Sequence, residues 1–340
     1  MKVLLYFEIE KVLSISGIGR AKRHQMLALE SAGVDFTTDP FDDFDILHIN
    51  TMYLNASNII NKAHSEGKAV IYHAHSTEED FRNSFLFSNQ ISPFVKKYLI
   101  GLYSKADEII TPTPYSKKLL ENYGIKLPIT AISNGIDLDR YAYDEEKVKA
   151  FYRYFGLSKE DKIVMSVGLL FERKGILDFF KVAERLPQYK FIWFGDTPSI
   201  SIPSNITKAC EERPINVIMP GYVKGGIIEG AYLASDCFFF PSYEETEGIV
   251  VLEAMASKQR IIVRDIGAFD PWLEDGVNCY KGKDNDDFVK LIYNTIEGNL
   301  KDTRDNAYKT AEERSIDKIG EQLKEVYTRV YNKMKHEENI

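Results

Sequence analysis

Cysteine is scarce and scattered: Cys210, Cys237 and Cys279 are the three in 340 residues, with no CxxC pair. That excludes a disulfide framework or a Cys-rich zinc site and fits unpaired core thiols in a reducing compartment. No apolar run approaches the ~18 residues of a bilayer span. Met1 to Phe7 is apolar but short, with Glu8 and Glu10 behind it, so it reads as a buried first strand rather than a signal peptide. Basic residues are not in excess either. Lys and Arg number 43 against 51 Asp and Glu, a net of -8, which argues against any general affinity for nucleic acid. With 21 glycines and 12 prolines, the chain is neither low-complexity nor collagen-like.

What is present is an ordinary globular composition, long enough for about two domains at roughly 150 residues each. Short apolar runs at Lys2 to Tyr6, Ile46 to Asn50, Ala69 to His75, Glu108 to Thr111 and Ile129 to Ile132 alternate with helical patterns. After a charged helical stretch, Tyr143 to Phe155, the rhythm restarts with Ile163 to Val167, Phe191 to Phe194, Val217 to Met219, Cys237 to Phe240 and Ile261 to Val263. Strands buried on both faces need helices on both sides, so the fold class is α/β, with two doubly wound Rossmann-like domains. The expected divisions are 1–150, 151–315 and a C-terminal helix, 316–340, packing back toward the first domain. Apolar residues at Ile316, Ile319, Leu323, Val326, Tyr327 and Val330 give that helix its amphipathic spacing. Two such domains facing a central cleft would bind ligand in the loops after strands.

The densest candidate loop runs from Pro241 to Ala256, directly after the strand Cys237 to Phe240. Gly248 lets backbone approach a ligand, and the helix beginning at Ile249 offers its first N–H groups, including that of Val250, to an anion. Glu245 and Glu253, with seven residues between them, are acceptors for sugar or ribose hydroxyls. By spacing alone, an acidic surface loop and a Glu favoured by the helix dipole explain them equally well.

Strand, Pro-Ser, Glu245, Gly248 and Leu252-Glu253-Ala254-Met255-Ala256 together resemble the paired-glutamate motif of retaining glycosyltransferases with the GT-B fold. Gly168 to Gly175 is similar to that family's diphosphate loop, which implies donor-phosphate roles for Lys174 and, since Leu169 stands where the family commonly has Arg, for Arg173. Gly195, in Phe194-Gly195-Asp196-Thr197-Pro198, and Gly221 with Val223 resemble turns near the nucleotide. Gly17 and Gly19 are similar to the family's Gly-rich phosphate loop, and Ser133 to Asp137 to its loop before the linker. His75 stands where the family places a histidine beside the transferred sugar, and His73 shares its face if the strand continues. A nicotinamide cofactor does not fit, because Lys22 occupies the third glycine position. Asp137-Leu138-Asp139 and Asp284-Asn285-Asp286 read as a loop and a helix cap rather than metal ligands, so no catalytic metal and no cofactor are expected.

From Arg82 to Lys126 seven basic residues face three acidic ones, a local excess in an acidic chain. Pro93 to Tyr103 interleaves Lys96 and Lys97 with Phe94 and Tyr98, as expected of a helix on an anionic membrane surface; a core helix with a solvated Lys edge is the plainer explanation. Arg82, Phe94, Lys96, Lys97 and Tyr98 are therefore candidate membrane or acceptor residues. The run His73 to Phe85 is similar to Gram-positive glycosyl-diacylglycerol synthases. The resemblance implies a metal-independent retaining hexosyltransferase, with Glu245 and His75 at the reacting sugar. Its donor would be UDP-glucose or UDP-galactose. Its acceptor would be a membrane glycolipid such as diacylglycerol or monoglucosyldiacylglycerol. The protein would be cytoplasmic, peripheral on the inner face of the plasma membrane. The alternatives are a polysaccharide or cell-wall acceptor, or a non-catalytic nucleotide-sugar or membrane-binding module.

Overall fold

Runs of Val, Ile, Leu and Phe make strands because β-branched and aromatic side chains fit a pleated, buried surface. The computed structural model describes residues 1–8, 17–198 and 201–337. Its first sheet contains β1 (Lys2–Tyr6), β2 (Asp35–Thr37), β3 (Ile46–Ile49), β4 (Ala69–His73), β5 (Glu108–Thr111) and β6 (Ile129–Ala131), in the order β2-β1-β3-β4-β5-β6. Its second contains β7 (Ile163–Val167), β8 (Lys190–Phe194), β9 (Val217–Gly221), β10 (Cys237–Phe240), β11 (Ile261–Arg264) and β12 (Tyr280–Gly282), in the order β12-β11-β10-β7-β8-β9. Every pairing is parallel. All ten expected strands form. The two that sequence patterning missed, β2 and β12, are three-residue edge strands, too short to show a period. β4 ends at His73 rather than His75 because the His75 N–H turns back to the His73 carbonyl, 3.1 Å away.

The chain divides into two compact units. One comprises Met1–Glu79, Ile91–Ile136 and Arg314–Ile340; the other comprises Asp80–Gln90 and Asp137–Glu313. The division therefore falls at Asp137 rather than at 150, and the short piece Asp80–Gln90 joins the second unit. Helix Glu145–Phe155 is carried into the second unit by its packing on helix Gly226–Ala234, so close that a Cβ at Gly230 would lie 2.1 Å from the Lys147 carbonyl oxygen. The C-terminal helix Ile316–Glu337 packs against helix Gly17–Ser31 in the first unit. Ile319, Leu323, Val326, Tyr327 and Val330 join Val3, Leu5, Ala28 and Ile71 in one core. Where the chain leaves the first unit, the Ile136 N–H donates to the carbonyl of Arg314, where it returns.

In each sheet the strand order reverses once, between β1 and β3 in the first and between β7 and β10 in the second. A doubly wound sheet receives ligand outside the carboxyl ends of its strands at such a reversal, because the flanking connections run to opposite faces. The loops at these reversals are those after β7 and β10 in the second unit, and after β1, β3 and neighbouring β4 in the first.

Candidate functional site

In the second unit the loops after β7 and β10 touch. Lys174 ends the short turn Glu172–Lys174, and Gly175 follows at φ 75°. A Cβ at Gly175 would meet the Pro241 carbonyl oxygen at 2.3 Å, so only glycine permits this approach. The approach brings Lys174 Nζ to 2.5 Å from Glu245 Oε1, which also accepts from Ser242 Oγ at 2.7 Å. Burial by itself would raise the Glu245 carboxyl, but Lys174 and Arg173 hold it below the ordinary glutamate value. The result is a buried carboxylate matched by a cation at the end of the sheet.

Arg173 is held by groups of the protein on every side of its guanidinium. Its Nε donates to Ser84 Oγ at 2.7 Å and its Nη1 to the Glu244 carbonyl at 3.0 Å, while its Nη2 pairs with Asp80 at 2.9 Å. Its own N–H bonds the Asn83 carbonyl. All three guanidinium nitrogens are thus turned to protein, and Lys174 is the cation of this loop nearer to Glu245. Asp80 and Ser84 carry no motif and were missed by sequence reading; the signal available was their place in the synthase-like run ending at Phe85. Burial raises the Asp80 carboxyl against the pull of Arg173 and Lys174.

Gly248 stands at φ 88° and opens helix Ile249–Ala256, a conformation that favours glycine. The first backbone bond of this turn is Val251 N–H to the Gly248 carbonyl, so the amides of Ile249 and Val250 lie ahead of the helix's own ladder. Glu253 is 1% exposed, and its Oε2 accepts from the Tyr232 hydroxyl at 2.7 Å. The Gly195 N–H bonds the Gly221 carbonyl at 2.9 Å, joining two predicted nucleotide turns at the ends of β8 and β9; Val223 follows two residues on. Asp284 caps helix Asn285–Ile296 through the N–H groups of Asp286 and Asp287, and Asp137 accepts from the Arg140 N–H. Both are the local roles predicted for them.

In the first unit Gly17 and Gly19 lie in the first turn of helix Gly17–Ser31, and the loop predicted to lead into them, through Ser16, lies outside the described residues. Beside this helix, His73 and His75 stack with ring centroids 4.0 Å apart and 8° between planes, although the strand expected to carry both ends at His73. The His48 ring lies nearly parallel to His73, with centroids 5.4 Å apart. Burial pushes both His48 and His75 down to about 3 and His73 well below its usual value. His75 Nε2 lies 2.9 Å from Asn50 Oδ1, and His75 lines a cavity of about 20 Å³ with Asn50, Thr51, Tyr72 and Tyr103, room for about one water. After β1, Glu8 is buried, its N–H bonded to Thr51 Oγ1, and burial raises its carboxyl.

Helix Ser88–Tyr103 buries Leu99, Leu102 and Tyr103 and leaves Phe94 75% exposed, with Ile91 and Tyr98 also exposed. The Tyr98 hydroxyl donates to the Met52 carbonyl, which ties the helix to the loop bearing the exposed Leu54. Lys97 is exposed. Lys96 is drawn to the buried Glu78 carboxylate at 3.2 Å and over the Tyr123 ring at 4.3 Å, and Arg82 lies in the segment that belongs to the second unit. Among the described residues no helix is long and apolar enough to cross a membrane.

Residues 149–314 match the family of glycosyl transferases group 1, and residues 21–140 match glycosyltransferase family 4. The chain is 48% identical to the processive diacylglycerol alpha-glucosyltransferase of Acholeplasma laidlawii, over 97% of this chain and 98% of that one. It is 26% identical to the alpha-galactosylglucosyldiacylglycerol synthase of Streptococcus pneumoniae, over 87% of this chain and 78% of that one. Among solved structures, sucrose-phosphate synthase from Thermosynechococcus elongatus superposes with a TM-score of 0.81 at 16% identity, over 98% and 99% of the two chains. Anabaena HepE in complex with UDP does so with a TM-score of 0.78 at 16% identity, over 97% and 100%.

Proposed function

Starting from the premise that this chain belongs to the group 1 glycosyltransferases and has their two-domain GT-B fold, we propose that it is a retaining hexosyltransferase. In this reading it moves glucose or galactose from a UDP-sugar to diacylglycerol or a monoglucosyldiacylglycerol. The observation that carries the reading is the Lys174–Glu245 pair, held by Ser242 where the β7 and β10 loops meet. The near full-length likeness to a diacylglycerol glucosyltransferase supports the lipid acceptor.

A departing diphosphate develops negative charge as the anomeric C–O bond breaks. Lys174 and the amides of Ile249 and Val250 are positioned to stabilise that charge without solvent reorganisation, so the reading needs neither a divalent cation nor a cofactor. As Lys174 turns toward the diphosphate, its partner Glu245, held ionised, orients the sugar and supports positive charge at the anomeric carbon. Glu253, fixed by Tyr232 at one oxygen, binds ribose hydroxyls. His75 binds the hexose, a role that the resemblance assigns. Retention follows when the acceptor hydroxyl attacks the face that the diphosphate vacates and gives its proton to a leaving phosphate oxygen.

The exposed Ile91, Phe94, Lys97, Tyr98 and Leu54 supply a peripheral membrane surface, with apolar side chains for the acyl boundary and Lys97 for anionic headgroups. No spanning helix is required for a protein resting on the inner face of the membrane. The test is incubation with UDP-glucose or UDP-galactose and diacylglycerol in phosphatidylglycerol vesicles, followed by identification of product and anomer. An alpha-glycosyl lipid is expected. Transfer only to soluble polysaccharide precursors, or a beta product, would overturn the corresponding part, and no sugar release with any donor would point to a non-catalytic binding module.

A further inference from the structure

The histidine stack in the first unit has a defined proton arrangement that follows from one side chain. Asn50 is 2% exposed. Its Nδ2 faces the His48 carbonyl at 3.4 Å, and its Oδ1 faces Gln25 Nε2 at 2.8 Å and His75 Nε2 at 2.9 Å. A backbone carbonyl only accepts, so the Asn50 amide has a single consistent orientation. Oδ1 only accepts as well, so the His75 proton must sit on Nε2. The remaining ring nitrogen, Nδ1, is then an acceptor.

Gln25 Nε2 also reaches His73 Nδ1 at 2.9 Å, which makes that nitrogen an acceptor and leaves the His73 proton on Nε2, a buried atom with no hydrogen-bond partner. His48 Nε2 lies 3.3 Å from the same His73 nitrogen and its Nδ1 lies 2.6 Å from the Tyr327 hydroxyl; two facing lone pairs would repel, so the His48 proton sits on Nε2, sharing the single His73 lone pair with Gln25, and Tyr327 donates to His48 Nδ1. A fold does not leave a buried N–H unpaired without reason. Here the unpaired proton is the cost of Gln25 donating to both Asn50 and His73.

We propose that Asn50 is a positioning residue, steadied by Gln25, that holds His75 as the Nε2–H tautomer so that Nδ1 accepts a hydrogen bond from a hydroxyl of the transferred sugar. This rests on the hexose-binding role given to His75 above. It goes further by fixing the ring's polarity: His75 receives a sugar proton and does not donate one, and the tautomer is set by a neutral amide rather than by a carboxylate.

The test is nitrogen NMR of the full chain labelled with [15N]histidine, the His75 signals being assigned by their loss in His75→Gln. Without ligand, His75 is expected to show a protonated Nε2 and an unprotonated Nδ1. Asn50→Ala should give a mixture of tautomers and lower kcat about tenfold, whereas Asn50→Asp, which keeps an acceptor in place, should retain the Nε2–H signal. An Nδ1–H tautomer in the unsubstituted protein, or an unchanged tautomer in Asn50→Ala, overturns the proposal. Should Asn50→Ala fail to fold, the unsubstituted spectrum and Asn50→Asp still decide it. Unaltered transfer by His75→Ala would instead sink the hexose-binding role and leave the tautomer result standing, so the two failures are distinct.

Discussion

The two units bury polar groups in opposite ways. At the β7 and β10 loops of the second, charge is kept and matched: Asp80 pairs with Arg173 and Glu245 with Lys174. At the ends of β3 and β4 in the first, charge is excluded, and three stacked imidazoles are held neutral by burial, with an amide, an amide and a phenol as partners. On the proposed function, the contrast follows from what each place must bind. A group that must meet a diphosphate needs a standing cation, and a buried cation is tolerated only beside an anion. A ring that reads a neutral sugar needs fixed hydrogen-bond polarity, which an ionising group would blur.

The contrast breaks most sharply at Lys174. Lys174→Ala leaves Glu245 buried with Arg173 3.9 Å away as its remaining cation, so it should lower stability by about 3–5 kcal/mol and transfer by about ten- to hundredfold. Urea unfolding and a product assay check both. Adding Glu245→Gln should restore much of the stability but none of the activity; if the two losses simply add, the pair is not a coupled unit.

Acid should separate the two regions next. Folding pulls His48 and His75 from about 6.5 to about 3, so their contribution is full above about pH 6.5 and is lost as pH falls toward 3, because the unfolded chain takes up the protons. Glu245 is lowered from 4.5, so its contribution persists above that value and disappears only as pH falls through its lower folded value. Melting temperature between pH 8 and 4.5 should therefore follow the histidines, and His48→Gln should flatten its slope. An unchanged slope would mean that the stack does not set acid stability.

Arg173→Lys sharpens the ionic half of the comparison. A lysine has one nitrogen where the guanidinium has three, so bonds to Ser84 Oγ and the Glu244 carbonyl are lost. A cost of about 1–3 kcal/mol is expected, with donor affinity less affected than by Lys174→Ala. Equal loss of UDP-glucose affinity in both would support the diphosphate role that the resemblance implies for Arg173.

The smallest effects belong to the exposed helix. Lys97→Glu and Phe94→Ser should each weaken binding to phosphatidylglycerol vesicles, the former by about 1 kcal/mol per charge removed and in a salt-dependent way. Lys96→Gln should change vesicle binding less than Lys97→Glu, because its ammonium already faces Glu78. Vesicle flotation across a salt series ranks them.

The two parallel sheets, ten of their strands, the C-terminal helix and the loop holding Glu245, Gly248 and Glu253 were legible in the amino-acid pattern, because apolar runs of fixed period and a helix opened by glycine are local facts. That pattern did not reveal that Asp80 and Ser84 take up the Arg173 guanidinium, that Lys96 pairs with Glu78, or that Asn50 and Gln25 meet the imidazole nitrogens. Those depend on residues 48 to 93 positions apart in some pairs and adjacent in none, and nothing in a linear pattern encodes which buried donor finds which acceptor. Only the tertiary structure decided them, since the partner of a buried polar group is whatever the packing of distant strands and helices leaves within about 3 Å.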